Sequence, residues 1–304
     1  MKKLMIALSL LLGPVSGAEA GAALSQGFVE TAPNVRIHYL VAGPDDADHI
    51  LLLIPGWRQS SSIWTKQFDY FAARNYQIIA IDSRSQGGSS IVQSGNAPED
   101  RAGDIQQVMS KLHLTNVTLV GWSQGVQDVA AYVGRFGTAA VDALVLVDRP
   151  LSYGPETATE APEFTKVVLK RLAMYSREPA AYSKGLLHAQ ITAPTTADTY
   201  RHLAAESMKT PSDIGISMLV QDLFTVDRRP ILKKFDKPTL IIASSKSTLL
   251  DAQRRMAAAI DDGRIAVIAN ASHAVFFDQP GQFNQILDEF VSYDCHGVAK
   301  KCFL

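Results

Sequence analysis

Val117-Thr-Leu-Val-Gly-Trp-Ser-Gln-Gly-Val126 is the stretch of sequence that decides the fold. Its first four residues are β-branched or aliphatic and predict a buried strand, and residues 126–135 are able to form the helix that follows. Ser123 then occupies a tight turn, where Gly121 and Gly125 leave room for the adjoining strand and helix. A Gly-x-Ser-x-Gly sequence in this position is typical of a nucleophile elbow, although a Gly-rich turn without chemistry has the same pattern.

The composition indicates one globular domain, with room for an insertion, whose partners are small molecules. Of its 304 residues, 47% are hydrophobic and 19% are charged, which is enough to build one large core. The formal net charge is -1 and the basic residues are not clustered. This pattern lacks the electrostatic footprint of a protein that binds nucleic acid or an anionic membrane. We expect a small apolar substrate as the partner.

Residues 1–20 have the features of a secretory signal peptide. Lys2 and Lys3 precede an apolar run at residues 4–12, and the small residues Ala18 and Ala20 suit cleavage after Ala20. The run is too short to span a bilayer, so we expect no stable membrane anchor, the alternative being an N-terminal anchor helix. The mature protein is therefore expected to be exported, to the periplasm or the medium.

The two cysteines, Cys295 and Cys302, lie close together near the C-terminus. An even number of cysteines in an oxidising compartment predicts a disulfide that closes a small terminal loop, the alternative being two free thiols. Apart from His296, no histidine or cysteine stands nearby at ligand spacing, so no metal site is expected there.

Short apolar runs that alternate with helical stretches predict an α/β fold with a mostly parallel central sheet. Two antiparallel strands come first, around residues 28–30 and 35–41. The remaining runs follow along the chain: residues 50–54, 77–81, 117–120, 143–147, 238–242 and 264–268. Special loops after four of these runs contain Gly56, Asp82, Ser123 and Asp148. Because parallel strands end at one edge of a sheet, these loops are expected to meet there and form a site.

The alternation of strands and helices is interrupted once, at residues 151–235. This segment reads as helical and predicts a lid inserted after the sixth strand, between core segments 21–150 and 236–304. The lid carries His188 and His202, either of which is able to touch a substrate, although surface histidines are the more ordinary interpretation.

The chain resembles the α/β-hydrolases, and within them the lid-bearing esterase, haloperoxidase-like and C–C hydrolase group. The segments that carry the resemblance span nearly all of the mature chain: residues 51–57, 82–89, 121–125, 238–242 and 271–283. The resemblance implies the α/β-hydrolase fold and a chain order of nucleophile, acid and histidine. It implies no cofactor and no metal.

The resemblance implies roles for four residues of the site. Ser123 would be the nucleophile and His273 its general base, because an imidazole within hydrogen-bond reach can take the serine proton and return it to the leaving group. The backbone N–H groups of Trp57 and Gln124 would form the oxyanion hole. Pro55 stands where the family usually has histidine, which removes a side chain but neither donor.

The acid of the triad is open between three aspartates. In most of the family it follows the strand at residues 239–242, but Ser247 stands there in this sequence. Asp148 follows the preceding strand directly, a position that some relatives use, and it is the favoured candidate. Asp251 is the alternative, and it also suits the start of a helix. Asp278 is a third possibility.

Together these features predict a serine hydrolase of small or medium apolar carboxylic esters or lactones, acting through an acyl-enzyme on Ser123. Two alternatives stay open. One is a cofactor-free oxygenase or peroxidase-like enzyme on the same fold, which would need His273 but not Ser123. The other is a non-catalytic ligand-binding member of the fold.

Overall fold

The structure, a computed structural model, describes residues 24–294, with side chains to Ser292. The predicted signal peptide, Cys295 and Cys302 lie outside the described residues. Cleavage of the signal peptide and pairing of the two cysteines therefore stay predictions.

One eight-stranded sheet forms the centre of the molecule. In chain order its strands are β1 (Ser25–Ala32), β2 (Val35–Ala42), β3 (His49–Ile54), β4 (Tyr76–Ile81), β5 (Val117–Trp122), β6 (Val141–Val147), β7 (Thr239–Ser244) and β8 (Gly263–Ile268). Their order across the sheet is β1-β2-β4-β3-β5-β6-β7-β8. The pairs β1/β2 and β2/β4 are antiparallel, and all other pairs are parallel. The predicted α/β fold with a mostly parallel sheet is confirmed.

The α-helices cover both faces of the sheet and fill the chain between β6 and β7. They are α1 (Thr65–Ala72), α2 (Pro98–Lys111), α3 (Gln124–Phe136), α4 (Thr157–Glu160), α5 (Pro162–Arg177), α6 (Pro179–Gln190), α7 (Ala197–Met208), α8 (Ser212–Phe224), α9 (Leu250–Ala258), α10 (Val275–Asp278) and α11 (Pro280–Asp294). Short 3-10 turns occupy Ser61–Trp64, Gly154–Glu156 and Arg229–Lys234. Within residues 24–294, no helix has the length and apolar character needed to cross a membrane.

Each central strand sends alternate side chains into two separate cores, one on each face of the sheet. On β3, Leu51 and Leu53 join the core beneath α1 and α11, whereas Leu52 and Ile54 join the core beneath α2 and α3. All four are inaccessible to solvent. A strand buried on both faces has no polar alternation, which explains the continuous apolar runs in the sequence.

Five helices, α4 to α8, occupy the segment between β6 and β7 that the sequence predicts as helical. One of these helices, α6, has a sequence that is unusual for a helix. This helix begins with Pro179 and contains Gly185, two residues that normally argue against a helix. Pro179 is tolerated because the first helical residue has no N–H partner to lose.

Candidate active site

Ser123 lies at the sharp turn between β5 and α3 with backbone angles φ 54° and ψ -109°. Such angles are unfavourable for a residue with a Cβ, and the turn persists because its neighbours are packed against it. A Cβ at Gly125 would lie 2.6 Å from the carbonyl oxygen of Ile54, and one at Gly121 would lie 2.4 Å from that of Gly125. Glycine is therefore required at both positions, as the sequence predicts for an elbow.

The side chains of Ser123, His273 and Asp148 form a continuous hydrogen-bonded chain. Ser123 Oγ lies 2.9 Å from His273 Nε2, and His273 Nδ1 lies 2.8 Å from Asp148 Oδ2. Since an ionised carboxylate only accepts, Nδ1 carries the ring proton and Nε2 is left to accept from the serine hydroxyl. This arrangement can remove the serine proton and hold the imidazolium that results.

Asp148 is rigidly held at the end of β6. Its side chain is 3% exposed. Its Oδ1 atom accepts hydrogen bonds from the backbone N–H of Ser244 at 3.0 Å and from Gln253 Nε2 at 3.3 Å. These two donors engage Oδ1 and leave Oδ2 for His273.

The other two aspartates considered for the acid make no hydrogen bond to the His273 ring, whose two nitrogens contact Asp148 and Ser123. Asp251 is in the first turn of α9 with its side chain 82% exposed, 3.4 Å from Arg254 Nη1. Asp278 accepts hydrogen bonds from Ser272, Thr192 and Ala193 at 2.6–2.9 Å. Burial opposes ionisation of Asp278, but these hydrogen bonds outweigh it and lower the pKa of the carboxyl.

Two contacts fix the loop that carries His273. Trp122 Nε1 donates to the carbonyl oxygen of His273 at 3.0 Å. Asp278 accepts from both the N–H and the hydroxyl of the neighbouring Ser272. Trp122 is fully buried, so its indole supports this loop from within the core.

The loop after β3 packs directly on the elbow. A Cβ at Gly56 would lie 2.9 Å from the Trp122 ring and 3.2 Å from Ser123 Cβ. The N–H of Trp57 follows in this loop, and Gln124 is the first residue of α3, where an N–H has no acceptor within the helix. The two predicted oxyanion donors thus flank the nucleophile from two elements.

Trp57 connects the loop after β3 to the helices between β6 and β7. Its Nε1 donates to the carbonyl oxygen of Gly215 in α8 at 2.8 Å. Its ring makes edge contacts with Tyr175 of α5 and Tyr182 of α6, at centroid distances of 5.5 and 6.3 Å. These helices therefore pack directly on a residue that flanks the nucleophile.

A cavity of about 350 Å³ opens above the nucleophile. Ser123, His273 and Trp57 line it, together with residues of α5, α6, α8 and the loop after β7. His188 and His202 are exposed and do not line it. Among the described residues, no group of three His, Cys, Asp or Glu side chains is arranged to hold a metal ion.

Three basic residues of the cavity wall were missed by the sequence interpretation: Arg149, Arg171 and Lys246. Arg149 follows Asp148 directly, so its place at the end of a parallel strand was a usable signal. Arg171 comes from α5, and no periodicity in the sequence shows which face of that helix points toward the nucleophile.

Comparison with known proteins agrees with this architecture. The family model of the alpha/beta hydrolase fold matches residues 49–280. A bifunctional esterase/perhydrolase from Acinetobacter calcoaceticus is 25% identical over 279 residues, covering 87% of this chain and 99% of the relative. A non-heme chloroperoxidase from Kitasatospora aureofaciens is 26% identical over 258 residues, covering 80% and 92%.

Among solved structures, a bromoperoxidase from Bacillus anthracis superimposes with a TM-score of 0.78 at 22% identity, covering 88% of this chain and all of the other. At this identity the superposition speaks for the fold alone. The family match extends from β3 to the first residue of α11 and includes the elbow and His273. The chain belongs to the α/β-hydrolase family.

Proposed function

We propose that this α/β-hydrolase cleaves carboxylic esters or lactones through an acyl-enzyme on Ser123. The observation that carries the proposal is the hydrogen-bonded chain from Ser123 through His273 to Asp148, with distances of 2.9 and 2.8 Å. The relative from Acinetobacter calcoaceticus, which is named an esterase/perhydrolase and is matched over nearly its whole length, adds support.

The reaction follows from the hydrogen bonds of the resting site. His273 Nε2 takes the proton from Ser123 Oγ as the oxygen attacks the carbonyl carbon of the substrate. The carbonyl oxygen becomes an oxyanion, which accepts from the N–H groups of Trp57 and Gln124. When the intermediate collapses, the ester C–O bond breaks and Nε2 returns the proton to the departing alcohol. A water molecule, deprotonated by His273, then releases the acid and restores Ser123.

Asp148 acts through His273 in both half-reactions. Its Oδ2 atom keeps the ring proton on Nδ1, so that Nε2 faces the serine, and it stabilises the imidazolium that forms. The bonds from Ser244 and Gln253 to Oδ1 prevent the carboxylate from rotating away.

The helices between β6 and β7 would act as the lid of this hydrolase. The contacts of α5, α6 and α8 with Trp57 support this role, since movement of these helices would change both the access to the cavity and the position of the oxyanion loop. Residues 151–235 remain our boundary for the lid.

A fluorophosphonate probe tests the proposal, because it reacts with an activated serine and not with a buried hydroxyl. We expect stoichiometric labelling at Ser123 in the folded protein and none in Ser123→Ala. Hydrolysis of a panel of short esters and lactones should disappear in the same variant. Failure of the folded wild-type protein to be labelled, together with binding of esters without turnover, would instead favour a non-catalytic member of the fold.

A second candidate function uses the same acyl-enzyme, and the relative named as a bifunctional esterase/perhydrolase favours it. If hydrogen peroxide replaces water in the second half-reaction, the acyl group leaves as a peracid and Ser123 is restored. The rate of peracid formation from an ester and peroxide measures this activity, which must also vanish in Ser123→Ala. A cofactor-free oxygenase would behave differently, because its activity would survive the loss of Ser123 but not that of His273.

A further inference from the structure

The cavity above Ser123 carries an excess of positive charge. Arg149, Arg171 and Lys246 line it, whereas Asp148 is the one carboxylate among the described residues of its wall. Asp148 is already bonded to His273, so its charge is engaged in the triad.

These three cationic side chains are unpaired in the part of the chain that the structure describes. Within residues 24–294, none of them makes an ion pair or a side-chain hydrogen bond with another residue. The Asp222 carboxylate also acts electrostatically on Arg149, but its oxygens accept hydrogen bonds from Arg101 at 2.5 Å and from Gln124 at 2.6 Å. An arginine that faces a cavity without a partner has five unused donors for a ligand.

Arg149 is held in place although it lacks such a partner. Its guanidinium lies 5.1 Å from the centroid of the Phe164 ring, and the residue is half-buried. Burial lowers the pKa of Arg149 to about 10, opposed by the charges of Asp222 and Asp148 and assisted by that of Arg171. The Arg149 side chain is therefore positively charged at neutral pH, and Arg171 lies close enough to repel it.

A bound anion would relieve this repulsion and satisfy the unused donors. We propose that the natural substrate is an ester or lactone that carries a second, ionised carboxylate, which Arg149 binds with the assistance of Arg171 and Lys246. The proposal rests on the hydrolase function argued above and names its substrate class. It also replaces the expectation of a wholly apolar substrate.

A carboxylate fits this wall better than a diffuse negative charge. The planar guanidinium of arginine pairs with both oxygens of a carboxylate in one geometry. The same cavity is also lined by Leu186, Leu219 and Leu249, which suit a short alkyl chain. A volume of about 350 Å³ favours a small half-ester of a dicarboxylic acid over a long-chain ester.

Two esters of similar shape separate this proposal from simple ester hydrolysis. The ethyl half-ester of glutaric acid carries a carboxylate where ethyl hexanoate has an alkyl end, and a pH-stat follows both reactions. We expect wild-type kcat/KM to be higher for the half-ester. In Arg149→Gln this preference should fall by about tenfold or more, chiefly through KM, because one bidentate charged hydrogen bond is lost.

Arg177→Gln is the matched control. Arg177 lies on the same helix as Arg171 and is exposed, but it does not line the cavity. It should leave the preference unchanged. Glutarate itself should inhibit the wild-type enzyme competitively, and its inhibition constant should rise in Arg149→Gln by a similar factor, whereas the neutral diamide should inhibit neither protein.

The outcomes keep the two proposals distinct. Hydrolysis of both esters that depends on Ser123, without a preference for the half-ester and without inhibition by glutarate, would overturn the anionic substrate and leave the hydrolase intact. Absence of hydrolysis and of fluorophosphonate labelling in the folded wild-type protein would overturn the hydrolase. Binding of glutarate that is lost in Arg149→Gln would still identify the anion site in that case.

Discussion

His273 Nδ1 lies 2.8 Å from Oδ2 of Asp148, a residue that ends β6 and not β7. The loop after β7 instead holds Ser247, whose Oγ accepts from Gln253 Nε2 at 3.1 Å. The same Gln253 atom also donates to Asp148 at 3.3 Å. A neutral serine and a neutral amide therefore occupy this region, where a second carboxylate would repel that of Asp148.

Asp148→Asn should lower kcat/KM for esters by roughly three to four orders of magnitude, because the amide stabilises neither the Nδ1 proton nor the imidazolium. The substitution conserves shape, so the variant should still fold. The activity of the purified variant, measured beside its melting temperature, checks this.

Asp251→Asn is the control for that experiment, since Asp251 is exposed on α9 and pairs with Arg254, one turn further along the same helix. Its activity should remain within about twofold of wild type, as is usual for surface substitutions away from special features. A large loss in Asp251→Asn with activity retained in Asp148→Asn would reverse our assignment of the acid.

The sequence was sufficient to predict the sheet and the elbow because both depend on local patterns. Buried parallel strands need continuous apolar runs, and the turn at Ser123 needs glycine on both sides. The meeting of Ser123 and Asp148 at one edge also follows from topology, since residues that end parallel strands share an edge.

The cavity wall was not predictable in the same way. Arg171 and Tyr182 reach the site because of how α5 and α6 pack, and several residue types on those helices would give the same amphipathic pattern. Arg58 is another example: it is almost fully buried, donates to the carbonyl oxygen of Ser207 at 2.7 Å and covers the Tyr175 ring at 4.1 Å. A charged residue in that position reads as exposed from the sequence alone.

Trp57→Phe should separate the oxyanion loop from α8. The substitution keeps an aromatic ring against Tyr175 but removes the hydrogen bond to the Gly215 carbonyl oxygen, which is worth about 0.5–1.5 kcal/mol. We expect a lower melting temperature together with a lower kcat, because the Trp57 N–H shifts relative to the nucleophile. Hydrogen exchange in α8 provides the decisive measurement. Unchanged exchange and unchanged kcat would show that this contact is not needed.

Asp278→Asn should weaken the protein at neutral pH and much less in acid. The pKa of Asp278 is lowered in the folded state, so its contribution to stability is present above the ordinary aspartate pKa of 3.8 and is lost as pH falls through the lower folded value. Losing an acceptor for the bonds from Ser272 and Thr192 should cost about 1–3 kcal/mol at pH 7. Urea unfolding at pH 7 and near pH 3 gives the free energy of unfolding of variant and wild type under both conditions. A loss of unfolding free energy that is equal at the two pH values would contradict the linkage.

Export of the full-length chain should remove residues 1–20 and leave Gly21 at the N-terminus. The intact mass of the protein recovered from the exported fraction measures this directly. In the same sample Cys295 and Cys302 should resist alkylation until a reductant is added, because an oxidising compartment favours their pairing. A mass that retains the first twenty residues would contradict cleavage, and alkylation without reductant would contradict the disulfide.

Gly125→Ala should damage the elbow, whereas Gly185→Ala should not. At Gly125 the new Cβ would lie 2.6 Å from the carbonyl oxygen of Ile54 and 3.0 Å from that of Pro55. Both are backbone atoms of β3 and its loop, so the strain has to be relieved by moving the strand or the nucleophile, at a cost of about 1–3 kcal/mol or more. At Gly185 of α6 nothing lies within 4 Å of the new Cβ, and alanine in a helix interior should stabilise the protein by roughly 0.5–1 kcal/mol. Urea unfolding should show a lower free energy of unfolding for Gly125→Ala and a higher one for Gly185→Ala. A change of the same sign in both variants would show that β3 can move to accommodate the new Cβ.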